Sequence, residues 1–419
     1  MVRRVFEHDA YADRAFNAAA RDLDGRDRAL AMALAYGTVQ RRATLDHVVS
    51  RLSTRSPDRL DAPVLAALRL GIMQLLLMDG VAEHAAVHES VALAKRDARA
   101  GSGLVNAVLR RTIREGPAIL AELDDTTVDG AAVLRSVPRW LAELWWTELG
   151  PDRARRLLAA VNAPAEAALR VNTLLAAPDA VAAALGAASH AAPDPELPEA
   201  LVLDAPFDAY ASPQWATGQV MPQSRASMLV ARALAPRPGE RVLDLCAAPG
   251  GKTTHLAALM GDEGELVAIE RHPGRADALR ATLERMRVRC ARVVTADASE
   301  PAALAGAGPF DRVLVDPPCS GLGTLQSRPD LRWRTGPERI AGLVGLQARI
   351  LCAGAAATRP GGTLVYSVCT ISRAESHAIV DGFVADTPGW EVETRRQLAP
   401  DTDGTDGFFI ARLHRGAGG

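Results

Sequence analysis

The sequence has almost no lysine and few aromatic residues. Lysine occurs only at Lys95 and Lys252, so nearly all of the basic residues are arginine, and aromatic residues make up 4% of the 419 residues. The formal net charge is −2. The chain therefore lacks an overall basic charge, and any contact with nucleic acid must come from local patches. Its length is sufficient for two or three globular domains.

Paired cysteines are also absent. The five cysteines are widely spaced and form no C-x-x-C pair: Cys246, Cys290, Cys319, Cys352 and Cys369. This spacing suggests neither a disulfide framework nor a zinc site, and it predicts a cytoplasmic protein without a metal ion. We expect Cys290 and Cys352 to be small buried side chains. Neither a membrane-spanning apolar run nor a signal-peptide core is evident, so no membrane partner is predicted.

One stretch combines a short apolar run, a glycine loop and the start of a helix. The run Val242–Leu245 predicts a buried strand, residues 246–251 form the loop, and a helical pattern begins at Thr253. Glycines allow the backbone to approach a ligand, and a helix start offers free N–H groups. These features predict a site for a nucleotide-like cofactor.

Three kinds of cofactor loop can be compared with this stretch. A phosphate-binding P-loop requires G-x-x-x-x-G-K-[ST]; Gly251-Lys252-Thr253 supplies its end, but Cys246 occupies the position of the first glycine. The dinucleotide pattern G-x-G-x-x-G is absent. The loop of an S-adenosylmethionine-dependent methyltransferase needs no phosphate cradle and fits better. An ordinary strand-to-helix turn is the remaining alternative.

The pattern of elements predicts three domains. Residues 1–130 indicate a helical bundle, residues 136–215 a small α/β linker domain with a strand at Leu169–Leu174 and a loop within 175–200, and residues 216–416 an α/β domain. In the third domain strands alternate with helices, which predicts a doubly wound, mostly parallel sheet. Its predicted strands are 242–245, 266–269, 292–295, 312–315, 362–367 and 408–413.

A polar or reactive residue follows each of the first five of these strands. They are Cys246, Glu270, Asp297, Asp316 (with Cys319 close behind) and Cys369. Ligands of doubly wound sheets bind at the carboxyl ends of the strands, so we expect these residues to share one crevice. Glu270 lies about 20 residues after the loop, where a carboxylate can accept hydrogen bonds from ribose hydroxyls. Asp297 is then suited to the adenine side.

The segment Asp316-Pro317-Pro318-Cys319 bears on the type of reaction. An aromatic residue after D-P-P would favour methylation of an exocyclic amine, but here the fourth residue is a cysteine. A thiolate that adds to carbon-6 of cytosine makes carbon-5 nucleophilic enough to take a methyl group. An amine methyltransferase and a non-catalytic RNA-binding assembly factor remain alternative hypotheses.

Several motifs carry a resemblance to known families. Tyr36-Gly37-Thr38-Val39, Leu68-Arg69-Leu70-Gly71 and residues 103–111 resemble the NusB-like RNA-binding domain. Residues 239–413 resemble the catalytic domain of the RsmB and Sun type of RNA cytosine-C5 methyltransferases. This resemblance implies S-adenosyl-L-methionine as cofactor and small-subunit (16S) ribosomal RNA as partner, and we expect a monomer. The motifs that carry it are residues 246–253, 316–324, 328–333 and 360–370.

The resemblance also implies roles for individual residues. Cys369 matches the nucleophile, Cys319 the cysteine that assists product release, and Asp316 the carboxylate near the target base. Arg170 and Asn172 match a strand motif that is either structural or RNA-contacting, and Arg332 and Trp333 are candidates to help turn out the base. The implied cofactor-binding residues are Cys246, Ala247, Ala248, Pro249, Gly250, Gly251, Lys252, Glu270, Asp297 and Asp316.

Three segments depart from the usual pattern of that family. Gln223-Ser224-Arg225 replaces an acidic Gln-Asp-Glu, Val368-Cys369-Thr370 replaces Thr-Cys-Ser, and Ala374-Glu375-Ser376 keeps one acid of Glu-Glu-Asn. Each change alters local positioning, and none removes a predicted catalytic atom.

Overall fold

The chain folds into two compact units. The computed structural model describes residues 1–186, 189–191, 195–204, 207–300 and 308–418. The first unit comprises Met1–Ala163 with Leu325–Gly336, and the second comprises Pro164–Thr324 with Pro337–Gly419. This division differs from the three predicted domains because residues 136–163 and 325–336 belong to the helical unit.

The first unit is helical, and its core surrounds a nearly all-apolar helix. This helix buries Val64, Leu68 and Ile72, as expected for a central helix of a bundle. The helices are α1 (Val2–Glu7), α2 (Ala12–Ala19), α3 (Gly25–Gln40), α4 (Arg42–Leu52), α5 (Ala62–Leu76), α6 (Glu83–Asp97), α7 (Ser102–Ala121), α8 (Val128–Leu134), α9 (Arg139–Leu149), α10 (Pro151–Ala160) and α16 (Leu331–Arg334), with 3-10 turns at Pro57–Arg59 and Arg99–Gly101.

Arg332 and Trp333, the candidates for turning out a base, belong to the interior of this helical unit. The guanidinium of Arg332 has no exposed surface and donates to the carbonyl oxygens of Ser136 (3.1 Å) and Val161 (3.2 Å). Burial lowers the pKa of Arg332 to about 9. The indole N–H of Trp333 donates to the carbonyl oxygen of Val39 at 2.7 Å. Both side chains therefore have structural roles.

The second unit begins with a small antiparallel sheet in the order β2-β3-β1-β4. The predicted strand at 169–174 ends early because the chain turns at Asn172, whose carbonyl oxygen accepts from the N–H of Leu175. A helix and a strand occupy part of the predicted loop at 175–200, of which residues 187–188 and 192–194 lie outside the described residues. The elements are β1 (Ala168–Val171), α11 (Pro178–Leu185), β2 (Ser189–Ala191), β3 (Ala200–Leu203), a 3-10 turn (Ala209–Ala211), α12 (Pro213–Ala216) and β4 (Val220–Pro222).

The rest of this unit contains a seven-stranded sheet in the order β10-β11-β9-β8-β5-β6-β7. The five strands from β9 to β7 are parallel to one another, whereas β11 is antiparallel to both of its neighbours, β9 and β10. The six predicted strands are confirmed, and β10 was not predicted. The strands are β5 (Arg241–Leu245), β6 (Glu265–Glu270), β7 (Ala291–Thr295), β8 (Phe310–Val315), β9 (Thr358–Val368), β10 (Trp390–Leu398) and β11 (Phe408–Arg415).

Helices cover both faces of the large sheet, which confirms the doubly wound prediction. Successive residues of a strand point to opposite faces: Val242 and Leu266 lie in one core, and Leu243 and Val267 in the other. The helices are α13 (Arg225–Leu234), α14 (Gly251–Leu259), α15 (Pro273–Arg285), α17 (Pro337–Ala357), α18 (His377–Asp386) and α19 (Pro400–Asp403), with a 3-10 turn at Leu322–Thr324.

Helix α17 is long and apolar enough, by length and composition alone, to cross a membrane, which the sequence pattern did not predict. Core helices of globular proteins pass the same test. Ile350 and Leu351 of α17 are buried in the core of the sheet, and Gln347 donates to the carbonyl oxygen of Pro318 at 2.9 Å. These contacts are those of a core helix.

Candidate active site

The five predicted strand-end residues lie along one edge of the large sheet. Because β9, β8, β5, β6 and β7 are neighbouring parallel strands, their carboxyl ends meet at the same edge. Along this edge stand, in spatial order, Cys369, Asp316, Cys246, Glu270 and Asp297. Strand β5 lies at the switch point of the sheet, where doubly wound folds bind their ligands.

The glycine loop is held in a tight turn between β5 and α14. Cys246 has a φ of 72° and Gly250 a φ of 106°, a conformation that favours glycine. A side chain at Gly250 would also meet Leu279 Cδ1 at 2.8 Å. The loop carbonyl of Ala248 accepts from the Arg275 guanidinium at 2.7 Å. This turn aims the N-terminus of α14 at the carboxyl edge of the sheet.

A cleft lies beside this loop, and Cys246 forms part of its lining. Its polar wall includes Glu270, which is nearly buried and accepts a hydrogen bond from the N–H of His272 at 2.9 Å, and Asp297. Its apolar wall is formed by Ile269, Pro318, Leu346 and Ile350. A lining that combines two acids with apolar side chains suits a nucleoside, whose ribose hydroxyls can donate to carboxylates while its base packs on apolar groups.

The two predicted catalytic cysteines are in direct contact. The Sγ atoms of Cys319 and Cys369 lie 3.3 Å apart, and the N–H of Gly323 donates to the carbonyl oxygen of Cys369 at 3.0 Å. The hydrogen bond to the Cys369 sulfur raises the pKa of Cys319 well above its usual range, and burial raises it further. Burial and the contact with Cys369 thus favour the thiol form of Cys319, and either sulfur can donate in the hydrogen bond that joins them.

The other three cysteines do not share this environment. Burial raises the pKa of Cys246, and the nearby Asp316 carboxylate adds to this effect, so Cys246 is a poor nucleophile although it lines the cleft. Cys290 is half-buried and Cys352 is exposed. The prediction that Cys352 is buried is wrong, because this residue lies on the outer side of α17.

Lys252 and Asp316 form an ion pair within the site. Lys252 Nζ lies 2.7 Å from Asp316 Oδ2, and the hydroxyl of Ser367 donates to Asp316 Oδ1 at 2.9 Å. Lys252 also lies over the ring of Phe408, 5.1 Å from its centroid. Burial opposes the charged form of Lys252, but the Asp316 carboxylate outweighs it and raises the pKa of Lys252. The lysine thus stays positively charged.

Asp244, in the middle of β5, was not predicted as a site residue. Its carboxylate is buried and accepts from the hydroxyl of Thr253 at 2.7 Å, which joins the strand to the first turn of α14. Burial raises the pKa of Asp244 to about 7. The sequence feature that could have indicated this residue is the presence of an acid within the apolar run Val242–Leu245.

We expect Asp244→Asn to stabilise the protein at alkaline pH. A carboxyl group whose pKa is raised by folding contributes most stability below its unfolded pKa and loses it as pH rises through the folded value. Above pH 7 the buried charge lowers the free energy of unfolding of the wild type by on the order of 4 kcal/mol. The neutral amide of the Asn variant does not carry this cost. Thermal unfolding at pH 5 and pH 8 measures this difference. The unfolding temperature of the Asn variant relative to the wild type should be higher at pH 8 than at pH 5. An equal difference at the two pH values would contradict the claim that burial raises the pKa of Asp244.

Arg170 of β1 connects the small sheet to the first turn of α14, which follows the glycine loop. It is fully buried, and its guanidinium donates to Gln223 Oε1 at 2.9 Å and to the hydroxyl of Thr254 at 2.7 Å. Burial lowers the pKa of Arg170 to about 9. The side-chain amide of Asn172 donates to the carbonyl oxygens of Gly218 and Met286. Of the two roles considered for this strand motif, the structural one fits these buried side chains.

The charge reversal at Arg225 has a local explanation. Its guanidinium forms an ion pair with the carboxylate of Glu166, and the same carboxylate accepts from the hydroxyl of Thr405 at 2.7 Å. Arg225 is therefore paired with an acid of the same unit. Gln223 keeps its place as the partner of Arg170.

Comparison with known proteins decides the family. The description "16S rRNA methyltransferase RsmB/F" matches residues 231–414, the NusB family matches residues 1–114, and an RsmF/B-like ferredoxin-like domain matches residues 137–210. A "Probable ribosomal RNA small subunit methyltransferase B" from Synechocystis is 35% identical, and the alignment covers 99% of this chain and 98% of that protein. The chain belongs to the RsmB/F family of 16S rRNA methyltransferases.

Solved structures share this fold. The crystal structure of PH0851 superimposes with a TM-score of 0.82 at 25% identity and covers 96% of this chain and 93% of that one. NSun6 from Pyrococcus horikoshii, solved with SFG, shares the fold over 67% of this chain and 99% of its own length, with a TM-score of 0.62 at 22% identity. The RsmB/F family consists of S-adenosylmethionine-dependent methyltransferases.

Proposed function

We propose that this RsmB/F family member transfers a methyl group from S-adenosylmethionine to carbon-5 of a cytosine in 16S ribosomal RNA, through a covalent bond between Cys369 and carbon-6. The observation that supports this most strongly is the pair of thiols 3.3 Å apart at neighbouring strand ends. An amine methyltransferase needs no thiol beside the target base, whereas carbon-5 chemistry uses one thiol to activate the ring and benefits from a second to release it.

The cleft fits the proposed cofactor. Glu270 would hold the ribose hydroxyls, Asp297 would lie on the adenine side, and the apolar wall that includes Pro318 would contact the base. Bound S-adenosylmethionine supplies an electrophilic methyl group on a sulfonium. The remaining predicted residues, 246–252 and Asp316, would border the cofactor at the carboxyl edge. Among the described residues no group of three or more His, Cys, Asp or Glu could hold a metal ion.

The proposed reaction begins at Cys369. The thiol proton of Cys369 passes to ring N3, directly or through water, as the sulfur bonds to carbon-6. Carbon-5 then becomes the nucleophile that would take the sulfonium methyl group, whose sulfur keeps the electron pair of the broken bond. The ring is most basic at N3 in this adduct, and the Asp316 carboxylate, fixed by Lys252 and Ser367, can accept a hydrogen bond from the protonated N3. Loss of the carbon-5 proton to solvent restores the double bond between carbon-5 and carbon-6 and expels Cys369 as a thiolate, which takes back the proton held at N3. Cys319 assists this release because its sulfur adjoins the leaving sulfur.

We propose that the NusB-like unit helps to bind the RNA. Arg110 and Arg114 lie exposed on α7, where their charges can contact phosphates. The target cytosine must leave its stack to reach a cleft at the edge of the sheet. Such a substrate implies a cytoplasmic protein, and we propose that it acts as a monomer.

The test is to map modified cytosines in 16S ribosomal RNA from cells with and without this protein. We expect one 5-methylcytosine to disappear in the deletion strain and to return with the wild-type gene but not with Cys369→Ala. A lost methyl group on an exocyclic amine would instead support an amine methyltransferase. Defective subunits with an unchanged methylation pattern, rescued by Cys369→Ala, would support a non-catalytic assembly factor.

A further inference from the structure

Glu375 is a buried carboxylate that contacts both cysteine loops. It has no exposed surface. One oxygen, Oε1, accepts from the N–H of Ser320 at 2.8 Å and from Gln347 Nε2 at 3.1 Å. The other, Oε2, accepts from the hydroxyls of Ser320 and Thr370, the latter at 3.1 Å. Its two oxygens thus bond the residue that follows Cys319 and the residue that follows Cys369.

The surrounding bonds close this network. The hydroxyls of Ser320 and Thr370 are themselves 2.8 Å apart. Gln347 Nε2 also donates to the carbonyl oxygen of Pro318, the residue before Cys319, at 2.9 Å. On the other side, the hydroxyl of Tyr366 donates to the carbonyl oxygen of Glu375 at 2.7 Å. The carboxylate is therefore satisfied by neutral donors, each of which belongs to an element that carries or supports one of the thiols.

We propose that Glu375 is a positioning residue that holds the sulfur atoms of Cys319 and Cys369 in contact. The roles of the two thiols rest on the proposed function, but the spacing itself does not. Cys319 lies in a loop and Cys369 follows β9, so the sheet alone fixes only one of them. A buried carboxylate with four donors is costly to rearrange, and it therefore ties the loop of Cys319 to the end of β9.

The same geometry indicates which substitutions keep the network. In Glu375→Gln the amide oxygen can replace Oε1, and the amide NH₂ can donate to the hydroxyls of Ser320 and Thr370, because hydroxyl groups can act as acceptors. Glu375→Leu has a similar size and no polar atom. At Thr370, serine keeps the hydroxyl, whereas valine keeps the shape and removes it. These substitutions give two matched pairs.

The first measurement is the rate at which the thiols form a disulfide with diamide, which removes two electrons and two protons from the pair. The experiment uses the full chain with Cys352→Ser, because the exposed Cys352 thiol could link two molecules, and peptide mapping identifies the Cys319–Cys369 bond. We expect Glu375→Leu to slow this reaction at least about 10-fold and Thr370→Val about 3-fold. Glu375→Gln and Thr370→Ser should stay close to wild type. This measurement requires no methyl transfer.

The second measurement is steady-state methyl transfer by the same variants. A displacement of about 1 Å between reacting groups can cost about 100-fold in rate, so kcat of Glu375→Leu should fall by about that factor. KM for S-adenosylmethionine should change less than about threefold, because Glu375 does not line the cleft. Thermal unfolding is measured for each variant to show that it is folded. If Glu375→Leu does not fold, Thr370→Val takes its place in both assays.

The proposal is overturned if folded Glu375→Leu, or Thr370→Val in its place, forms the disulfide at the wild-type rate, even if it unfolds at a lower temperature. That result would give Glu375 a purely stabilising role. A second outcome is also possible: disulfide formation slows as expected, but neither the wild type nor any variant transfers a methyl group. That result would support the positioning role of Glu375 and contradict the proposed function.

Discussion

Replacing Cys319 with alanine is expected to leave a covalent protein–RNA complex that survives denaturation, and replacing Cys369 is expected to prevent it. In the Cys319 variant the Cys369 thiolate still attacks carbon-6, but the release of the methylated ring is slowed. In the Cys369 variant no bond to the ring can form. Gel electrophoresis under denaturing conditions, with 16S ribosomal RNA and S-adenosylmethionine present, separates the complex from the free protein.

The difference between the two variants follows from the different roles proposed for the two sulfurs. The pKa of Cys319 is raised by its hydrogen bond to Cys369 and by burial, which favours its thiol form, and in the proposed reaction Cys369 is the sulfur that attacks the ring. Turnover should fall by at least about 10³-fold in both variants, since residues that act as one unit each remove most of the rate when replaced. Only one of the two should trap the RNA.

The control is Cys352→Ala, which removes a thiol on the outer side of α17 and should leave both turnover and trapping unchanged. The double variant Cys319→Ala/Cys369→Ala should behave as Cys369→Ala does. A covalent complex with Cys369→Ala but not with Cys319→Ala would reverse the roles of the two thiols. Absence of the complex in every variant, with turnover retained, would refute covalent catalysis.

The sequence was enough to predict the edge of the sheet at which the site lies. Each of Cys246, Glu270, Asp297, Asp316 and Cys369 follows a short apolar run, and parallel strands carry their carboxyl ends to one side. This inference needs only local patterns and one topological rule. The same patterns did not predict β10, because a strand at the edge of the sheet with an exposed face has few apolar residues. Its sequence is Trp-Glu-Val-Glu-Thr-Arg-Arg-Gln-Leu.

Contacts between residues far apart in the chain could not be predicted in this way. Lys252 meets Asp316 across 64 positions, and Glu375 meets Ser320 across 55. In the sequence Glu375 is only the remaining acid of a motif, and its partners are visible in the structure alone. The buried position of Arg332 could not be predicted for the same reason. An arginine beside a tryptophan is also typical of an RNA contact, and only the structure shows that its guanidinium donates to buried carbonyl oxygens.

Lys252→Met is expected to lower kcat by about 10² to 10³-fold, the second largest effect we predict. The methionine keeps the length of the side chain but removes the cation that faces Asp316 at 2.7 Å. A carboxylate left with Ser367 as its remaining side-chain partner is less well fixed, and the preorganised electrostatic support of the adduct is lost. The measurement is single-turnover methyl transfer at saturating S-adenosylmethionine.

Lys95→Met is the matched control, because Lys95 is the other lysine of the chain and lies exposed on α6. Its removal changes the net charge by the same amount and should leave turnover within about twofold, as exposed charges contribute little. An equal loss in the two variants would attribute the effect to overall charge and would contradict a specific pair with Asp316.

The pH dependence gives a second check on Lys252. Its pKa is raised, since the pull of Asp316 exceeds the effect of burial, so the contribution of the ammonium is complete below the ordinary lysine pKa and is lost only as pH rises through the higher folded value. The ratio of wild-type to Lys252→Met activity should therefore stay constant from pH 6 to pH 9. A ratio that falls within this range would mean that Lys252 loses its proton there, and the ion pair could not then hold Asp316 during the reaction.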